Sequence, residues 1–319
     1  MTPHVHGLPP AEAAVLTRRI TLLSTATAAV LIAVKLVAYI MSGSMAVMAS
    51  LADSGLDLLA SLITAYAVRY AAKAPDAGHR FGHGKAEAFA SLLQGGLVFS
   101  SAALVGREAI DRLLHPYLIR AEAWSMGAMA VSIVLTLGLI LAQARVLKAT
   151  SSVAVSGDRA HYAADLASNA MALIGIALAA IFDEPRVDAA AGLLVTGWLV
   201  WGAVGVFRQA ADQLMDRELP EEARARIAAL VTVDPRLTDV HQLRTRASGP
   251  YIHIQLHADM DPDLTLDEAH VAVVEAEKRI LAAFPAADII IHLDPRGRAE
   301  PHGGAFAEMG AESLTEEMR

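Results

Sequence analysis

Apolar residues run in long, nearly unbroken stretches over the first two thirds of the chain. Six stretches reach the roughly 20 residues a helix needs to cross a bilayer. They lie near Ile20–Met41, Met45–Tyr70, Ala86–Leu114, Trp124–Leu147, Val153–Phe182 and Val187–Leu214. Short breaks with turn residues part them: Ser42-Gly43-Ser44, Pro75 to Gly84, His115-Pro116 and Asp183-Glu184-Pro185. The first run starts well into the chain, is long and lacks a small-residue cleavage site. It is therefore expected to be a span and not a cleaved leader.

The pattern changes after Leu219-Pro220. Glu221–Val231 predicts a helix opening on Pro220 and acids in its first turn. Asp239–Arg246 and Tyr251–Asp259 predict two strands around Ser248-Gly249-Pro250, a hairpin signal. In Leu266–Phe284, Ala269, Val273, Ala276, Ile280 and Phe284 share one helical stripe. Ala287–Leu293 is a last apolar strand. The order α-β-β-α-β predicts a small two-layer α+β domain. From residue 297 the chain is polar and rich in Gly and Glu, and a flexible tail is expected there.

Composition agrees with a membrane protein: 55% of residues are hydrophobic and only 19% charged. With no cysteine, disulfides, thiolate metal sites and Cys nucleophiles are excluded, so a metal would be held by His and carboxylates. The net charge of −8 is unevenly placed. Residues 1–215 carry 15 Lys/Arg against 14 Asp/Glu, and residues 216–319 carry 11 against 20. An acidic domain argues against nucleic acid as a partner and for cations. Arg18, Arg19, Arg69, Lys73, Arg80, Lys85, Arg145, Lys148, Arg208 and Arg217 flank one side of the spans. Arg107, Arg112, Arg120 and Arg186 flank the other. The richer side is expected to be cytoplasmic, which puts both termini and the acidic domain there.

Charges inside the spans carry the chemistry. Asp53 and Asp57 stand at i and i+4 of the second span, on one helix face. His161 and Asp165 repeat the spacing in the fifth. A carboxylate at the bilayer centre costs at least about 2.5–3.5 kcal/mol, which makes three acids and a His at similar depth hard to explain as filler. Facing each other, the two faces would offer three carboxylates and an imidazole, a donor set suited to Zn²⁺. The competing reading has each acid capping a hydroxyl such as Ser54 or Ser168. Lys35, a single lysine in the first span, reads as a structural residue able to snorkel. Asn169 would polish the site or bridge two helices.

Two further His groups lie outside the spans. Asp76, His79 and His83 fall within eight residues of a turn-rich loop and could hold a metal with water. The stretch ending Gly84-Lys85 fails as a phosphate loop, because Ala86 stands where Ser or Thr is needed. The acidic domain holds His241, His253, His257, His270 and His292. Period-2 alternation puts His253 and His257 on one face of their strand, and His292 and Asp294 on one face of the last. Metal binding and a solvated polar surface stay open for this group on spacing alone. His4, His6, His115 and His302 read as solvated. Lys85 opens the third span and Asp216 follows the sixth, so the two could pair at the boundary.

No HExxH, GxSxG or full Walker pattern occurs, and the chain is not expected to be an enzyme. An intramembrane metalloprotease would also need an activating Glu beside its ligands, which the fifth span lacks.

Several motifs in order resemble the cation diffusion facilitator family, especially its bacterial YiiP/FieF-type zinc/proton antiporters. They are Ala52-Asp53-Ser54…Asp57, Phe81-Gly82-His83-Gly84-Lys85-Ala86-Glu87, His161…Asp165, Leu214-Met215-Asp216-Arg217-Glu218-Leu219-Pro220, His241…Ser248-Gly249-Pro250 and Ile289-Ile290-Ile291-His292…Asp294-Pro295. The resemblance spans about Thr17 to Pro295. It implies a transport site of Asp53, Asp57, His161 and Asp165 and a loop site of Asp76, His79 and His83. It further implies a two-metal site of His241, His257, His270, His292 and Asp294, and a charge pair of Lys85 with Asp216. His253 is left out of that set.

The implied organisation is an N-terminal cytoplasmic segment (1–16), a six-helix transmembrane domain (17–215), a metallochaperone-like cytoplasmic domain that binds metal and dimerises (216–296) and the tail (297–319). The implied protein is a homodimer in the bacterial inner membrane. It would export Zn²⁺, with Cd²⁺ as a further substrate, in exchange for H⁺, and hold structural Zn²⁺ besides. The same carrier working on Fe²⁺, Mn²⁺ or Co²⁺, and a membrane metal sensor that transports nothing, are the rival expectations.

Overall fold

A computed structural model describes residues 8–43, 45–115, 123–182 and 186–298. The expected tail beyond these, His4, His6, His302 and the turns at 116–122 and 183–185 lie outside the described residues. The chain divides into two units, one built from Ala14–Lys148 and Ser152–Ala211, the other containing the chain from Asp212 onward.

The first unit is helical. Its helices are α1 (Pro10–Ser42), α2 (Met45–Ala71), α3 (Ala86–Leu114), α4 (Ala123–Thr150), α5 (Val153–Phe182) and α6 (Arg186–Leu214). α1 starts about ten residues before the apolar run predicted for it, on Pro10, whose fixed φ suits a first helical position. Among the described residues, α1, α2, α3, α4 and α6 each contain a stretch long and apolar enough to cross a membrane. α5 is 30 residues long, but Asp158, Arg159, His161 and Asp165 fall in its first half.

Those charges belong inside the bundle, because small residues let the helices approach closely. A Cβ on Gly157 of α5 would lie 3.1 Å from the Ser91 Cα of α3. Gly95 and Gly106 of α3 face Phe207 and Thr196 of α6 in the same manner. Ile20, Leu139, Val155 and Tyr162 join α1, α4 and α5 in one apolar cluster. Val98, Ala164 and Leu199 join α3, α5 and α6 in another. Large apolar side chains such as Ile40, Leu56, Leu104 and Trp201 point outward, as a bilayer solvent allows. Buried hydroxyls bond back along their own helix: Thr21 to the Thr17 carbonyl at 2.9 Å, and Ser132 to that of Ala128 at 2.8 Å.

The second unit runs α7 (Glu221–Val231), β1 (Leu237–Ser248), β2 (Tyr251–Met260), α8 (Leu266–Ala283) and β3 (Ala287–Pro295). This is the predicted α-β-β-α-β order. β1 and β2 pair antiparallel, and Gly249 takes the positive φ of the hairpin turn at +56°. β3 pairs parallel to β2, which requires the crossover that α8 supplies. Thr265 and Glu268 form a capping box at the start of α8. Ile227, Ile252, Ile254, Leu256, Ile280 and Phe284 fill the layer between helices and sheet. The alternate residues of β2, from His253 to Asp259, therefore lie on the other face.

Candidate metal sites

Within the helical unit, the i, i+4 spacing of α5 puts His161 and Asp165 on one face, against Asp57 of α2. His161 Nε2 lies 3.1 Å from Asp57 Oδ1 and 3.7 Å from Asp165 Oδ2. One ligand atom from each of the three residues falls within 4.8 Å of the others. His161 and Asp57 are buried, and the Asp165 side chain is 19% exposed. Asp53, one turn along α2, is exposed and stands outside this three-residue set. His161 Nδ1 is buried and makes no hydrogen bond among the described residues, so Nε2 is the nitrogen aimed at both carboxylates.

A second acid of α5 escapes the sequence reading. Asp158, three residues before His161, is 1% exposed. It accepts hydrogen bonds from Gln94 Nε2 at 3.2 Å and Gln143 Nε2 at 2.8 Å. Glu87, quoted above only as part of a motif, is also buried. Ser152 Oγ donates to Glu87 Oε2 at 2.5 Å, and the Ala154 N–H at 3.5 Å. Ser152 Oγ in turn accepts the Val155 N–H at 3.3 Å. Glu87 thus serves the unpaired N–H groups and positive dipole end of α5. The available signal was the fixed offset of each acid from a named motif residue.

In the α2–α3 loop, Asp76 Oδ1 accepts the Gly78 and His79 N–H groups at 2.9 and 2.8 Å. The His79 N–H foremost, and then Gly78 and the two imidazoles, hold the Asp76 carboxyl below its ordinary range. Its other oxygen lies 3.3 Å from His83 Nε2, and the two His rings are 4.5 Å apart. Gly82, at φ +79°, turns the chain so that both rings reach the acid. Asp76, His79 and His83 make the second set with ligand atoms within 4.8 Å.

In the second unit, strand register does the assembling. His241, His257 and His292 pair in one row across β1, β2 and β3, and Asp259 and Asp294 pair in the next. The His257 ring lies 5.4 Å from that of His241 and 4.6 Å from that of His292. His257 Nδ1 is 2.8 Å from Asp294 Oδ2, and His241 Nε2 is 3.2 Å from the same oxygen. An irregularity between His241 and Arg244, with Gln242 at φ +49°, bends β1 at this point, as a bulge does where a side chain must be re-aimed.

Burial pushes the His257 pKa down. Burial works the other way on Asp294, but the His257 bond and the surrounding imidazoles hold its carboxyl below the ordinary value. His241, His257 and Asp294 form the third set with ligand atoms within 4.8 Å, and buried His241 Nε2, though close to Asp294, is not aligned for a hydrogen bond with any described residue. Two imidazoles, a carboxylate and an unsatisfied ring nitrogen fit Zn²⁺, which a third imidazole, His292, borders.

Asp259 lies 3.8 Å from His241 and was not singled out by its sequence. His270 is exposed on α8 and outside the set. His253 contacts Asp288 at 3.1 Å, four residues along β2 from His257. Asp216 accepts a hydrogen bond from Arg246 at 3.2 Å. Lys85 lies at the start of α3, in the other unit.

Comparison with known proteins covers both units. Residues 21–215 match the sequence model of the cation efflux transmembrane domain, and residues 219–296 that of the cation efflux protein cytoplasmic domain. A cation-efflux pump FieF of Shewanella oneidensis is 40% identical over 272 residues, 85% of this chain and 92% of that one. The FieF of Klebsiella pneumoniae is 36% identical over 280 residues, 88% of this chain and 93% of that one. A solved structure concerning the zinc transporter CzrB, in its zinc form, is 35% identical and covers 26% of this chain and 96% of its own, with a TM-score of 0.25.

Proposed function

The chain belongs to the cation diffusion facilitator family, in its YiiP/FieF-like branch, and we propose that it exports Zn²⁺ from the cytoplasm in exchange for H⁺. It is a multi-pass membrane protein of a family whose work is cation efflux. The observation that carries the finer reading is the set of buried Asp57 and His161 with partly exposed Asp165 among apolar helices.

His161 Nε2 already sits between two carboxylate oxygens. A zinc ion takes such ligands at about 2.0–2.2 Å, with Asp53 as the fourth donor after a small shift of α2. Metal and proton compete for the same lone pairs, because a ligand must be deprotonated to bind. That competition supplies the coupling. A site opened to a proton-rich side loses metal, takes protons and returns. Rocking of helices about a fixed midplane site changes which side it sees. Imidazole favours Zn²⁺ or Cd²⁺ over Mn²⁺.

The charge asymmetry of the loops supports cytoplasmic termini, and the bacterial relatives support an inner-membrane location. The match to the cytoplasmic domain of the family, with its His row, supports a homodimer whose soluble domains hold Zn²⁺. Lys85 and Asp216 are proposed as boundary charges of that assembly.

The test is zinc flux into proteoliposomes under a pH gradient. Asp57→Ala and His161→Ala are expected to lower the rate at least a hundredfold. Normal flux in either variant sinks the mechanism, and no flux in the native protein favours a sensor.

A further inference from the structure

A layer of buried polar side chains lies beside the transport site and has no part in its ligand chemistry. Asp158 of α5 is its hub. Gln94 of α3, which donates to it, also donates to Thr64 Oγ1 of α2 at 2.9 Å. Gln143 of α4, a further donor, also donates to Ser24 Oγ of α1 at 3.2 Å. Tyr162 follows His161 on α5. Its hydroxyl donates to the Ser24 carbonyl at 3.1 Å and lies 2.8 Å from Ser61 Oγ of α2. Five helices thus meet in one network, and none of these side chains is more than 1% exposed.

The depth of the layer gives it meaning. Thr64, Gln94, Gln143 and Asp158 lie within eight residues of the ends of their helices at the α2–α3 loop and the α4–α5 link, about 8–12 Å in at 1.5 Å per residue. Asp57 lies seven residues deeper on α2 than Thr64, and His161 three deeper on α5 than Asp158. On the far side of His161 the acids are more accessible, Asp165 partly exposed and Asp53 exposed, although Ser54 and Lys35 stay buried beside them. This network fills the route from the loop side, and the acids of the site are more exposed toward the other.

Resting on the transport reading above, we propose that Asp158 is the latch of a loop-side gate. It is a positioning residue whose bonds to Gln94 and Gln143 hold α3 and α4 against α5 and close the loop-side route to the metal ligands. A divalent cation arriving from that side requires these bonds to part. A carboxylate suits the task because it accepts donors from two helices at once. A buried network is also switch-like, since it is favourable when satisfied and costly when half broken. Opening exchanges carboxamide partners for water, so the change need not expose an apolar seal. Gln94 Oε1 and Gln143 Oε1 have no partner among the described residues in the closed form, which keeps the closed state from being too deep a trap.

The chain has no cysteine, so one reporter thiol can be placed cleanly. Ala60 is 2% exposed and lies on α2 between Asp57 and Thr64. The full-length Ala60→Cys protein is reconstituted in vesicles, with exposed Ala74→Cys as the marker of the loop face. A membrane-impermeant maleimide is then added from either side. We expect slow labelling from the loop face, and at least tenfold faster labelling from that face when Asp158→Asn or Gln143→Leu is added. Labelling from the opposite face should not rise. Zinc flux should fall about tenfold in Gln143→Leu while equilibrium zinc binding in detergent holds.

An unchanged loop-face rate overturns the latch, and so does equal acceleration from both faces, which marks general loosening. Should Asp158→Asn fail to fold, Gln143→Leu decides alone, because it keeps the carboxylate and its Gln94 bond. The two readings fail separately. A native protein that moves no zinc while the latch variants open one face removes the transport reading. Zinc flux with unresponsive labelling removes the latch.

Discussion

Lys35 donates from Nζ to the Ser54 hydroxyl at 2.6 Å and to the Ser50 carbonyl at 3.1 Å, and is 7% exposed. Both partners belong to α2, so the ammonium ties α1 to the stretch that bears Asp53. A charged donor in a hydrogen bond is worth about 1.5–3 kcal/mol. Lys35→Met keeps the apolar stem but leaves the Ser54 hydroxyl and a carbonyl without their donor. It should lower the melting temperature of the protein in detergent by several degrees. Lys35→Arg should not restore it, because a planar fork does not fit a site built for one short bond. A melting temperature equal to that of the native protein would show that Lys35 is not structural. The sequence reads this residue as structural and able to snorkel, and the structure gives its ammonium partners on α2 in place of the membrane surface. Snorkelling is decided by what the neighbouring helix offers at that depth, and the Ser54 hydroxyl comes from 19 residues away.

α5 shows what could be read along one element and what could not. The His161–Asp165 pair follows from helical period alone, and so does its match to Asp57 once two spans are assumed to face each other. Asp158 was equally visible as a letter, but its partners lie 64 and 15 residues away on α3 and α4. Periodicity carries no such information. Glu87 has the same history, because its donors begin α5 while it sits on α3. The three strands were legible, two from the hairpin signal and the last as an apolar run. The bend at His241–Arg244 was not, since a bulge depends on the partner strand.

Gly157 governs how close α5 comes to α3. A Cβ there would meet Ser91 Oγ at 2.9 Å and Ser91 Cα at 3.1 Å, and backbone cannot rotate aside. Gly157→Ala should destabilise by about 1–3 kcal/mol and stretch the Gln94 bond to Asp158. Gly106→Ala meets the Thr196 methyl at 2.9 Å, where a side chain can turn away. Thermal unfolding of the two variants side by side should therefore show the larger loss for Gly157→Ala. The reverse order would mean that α3 and α5 are not in this register.

At the scale of the whole molecule, the two units answer to different solvents. The helical unit holds its buried charges, such as Lys35, Asp57, His161 and Asp158, in pairs and networks. The acidic excess, 20 Asp/Glu against 11 Lys/Arg, lies from residue 216 onward, in the part of the chain that bears the His row. Acid should undo this second unit in two separate steps. The His257 pKa is pushed down by burial from its ordinary 6.5, so its neutral form dominates above that pH. Stability tied to neutral His257 is fully present above about 6.5 and is lost as pH falls through the folded value. Protons also displace a metal from the same ring.

Asp234 is different, because the Arg236 guanidinium hydrogen bond lowers its pKa from 3.8 to about 2. Its stabilisation holds above 3.8 and is lost only as pH falls toward 2. Zinc at a hundred times its Kd adds about 2.7 kcal/mol to a fold that alone binds it. Zinc should therefore raise the unfolding temperature of the second unit clearly at pH 7.5. A chelator should reverse the gain, and at pH 5.5 most of it should vanish while the zinc-free unit stays folded. His241→Ala should abolish the gain at pH 7.5. Asp234→Asn should leave the gain intact and remove the second acid step. An equal zinc effect at both pH values would mean that the ion is held by groups other than the His row.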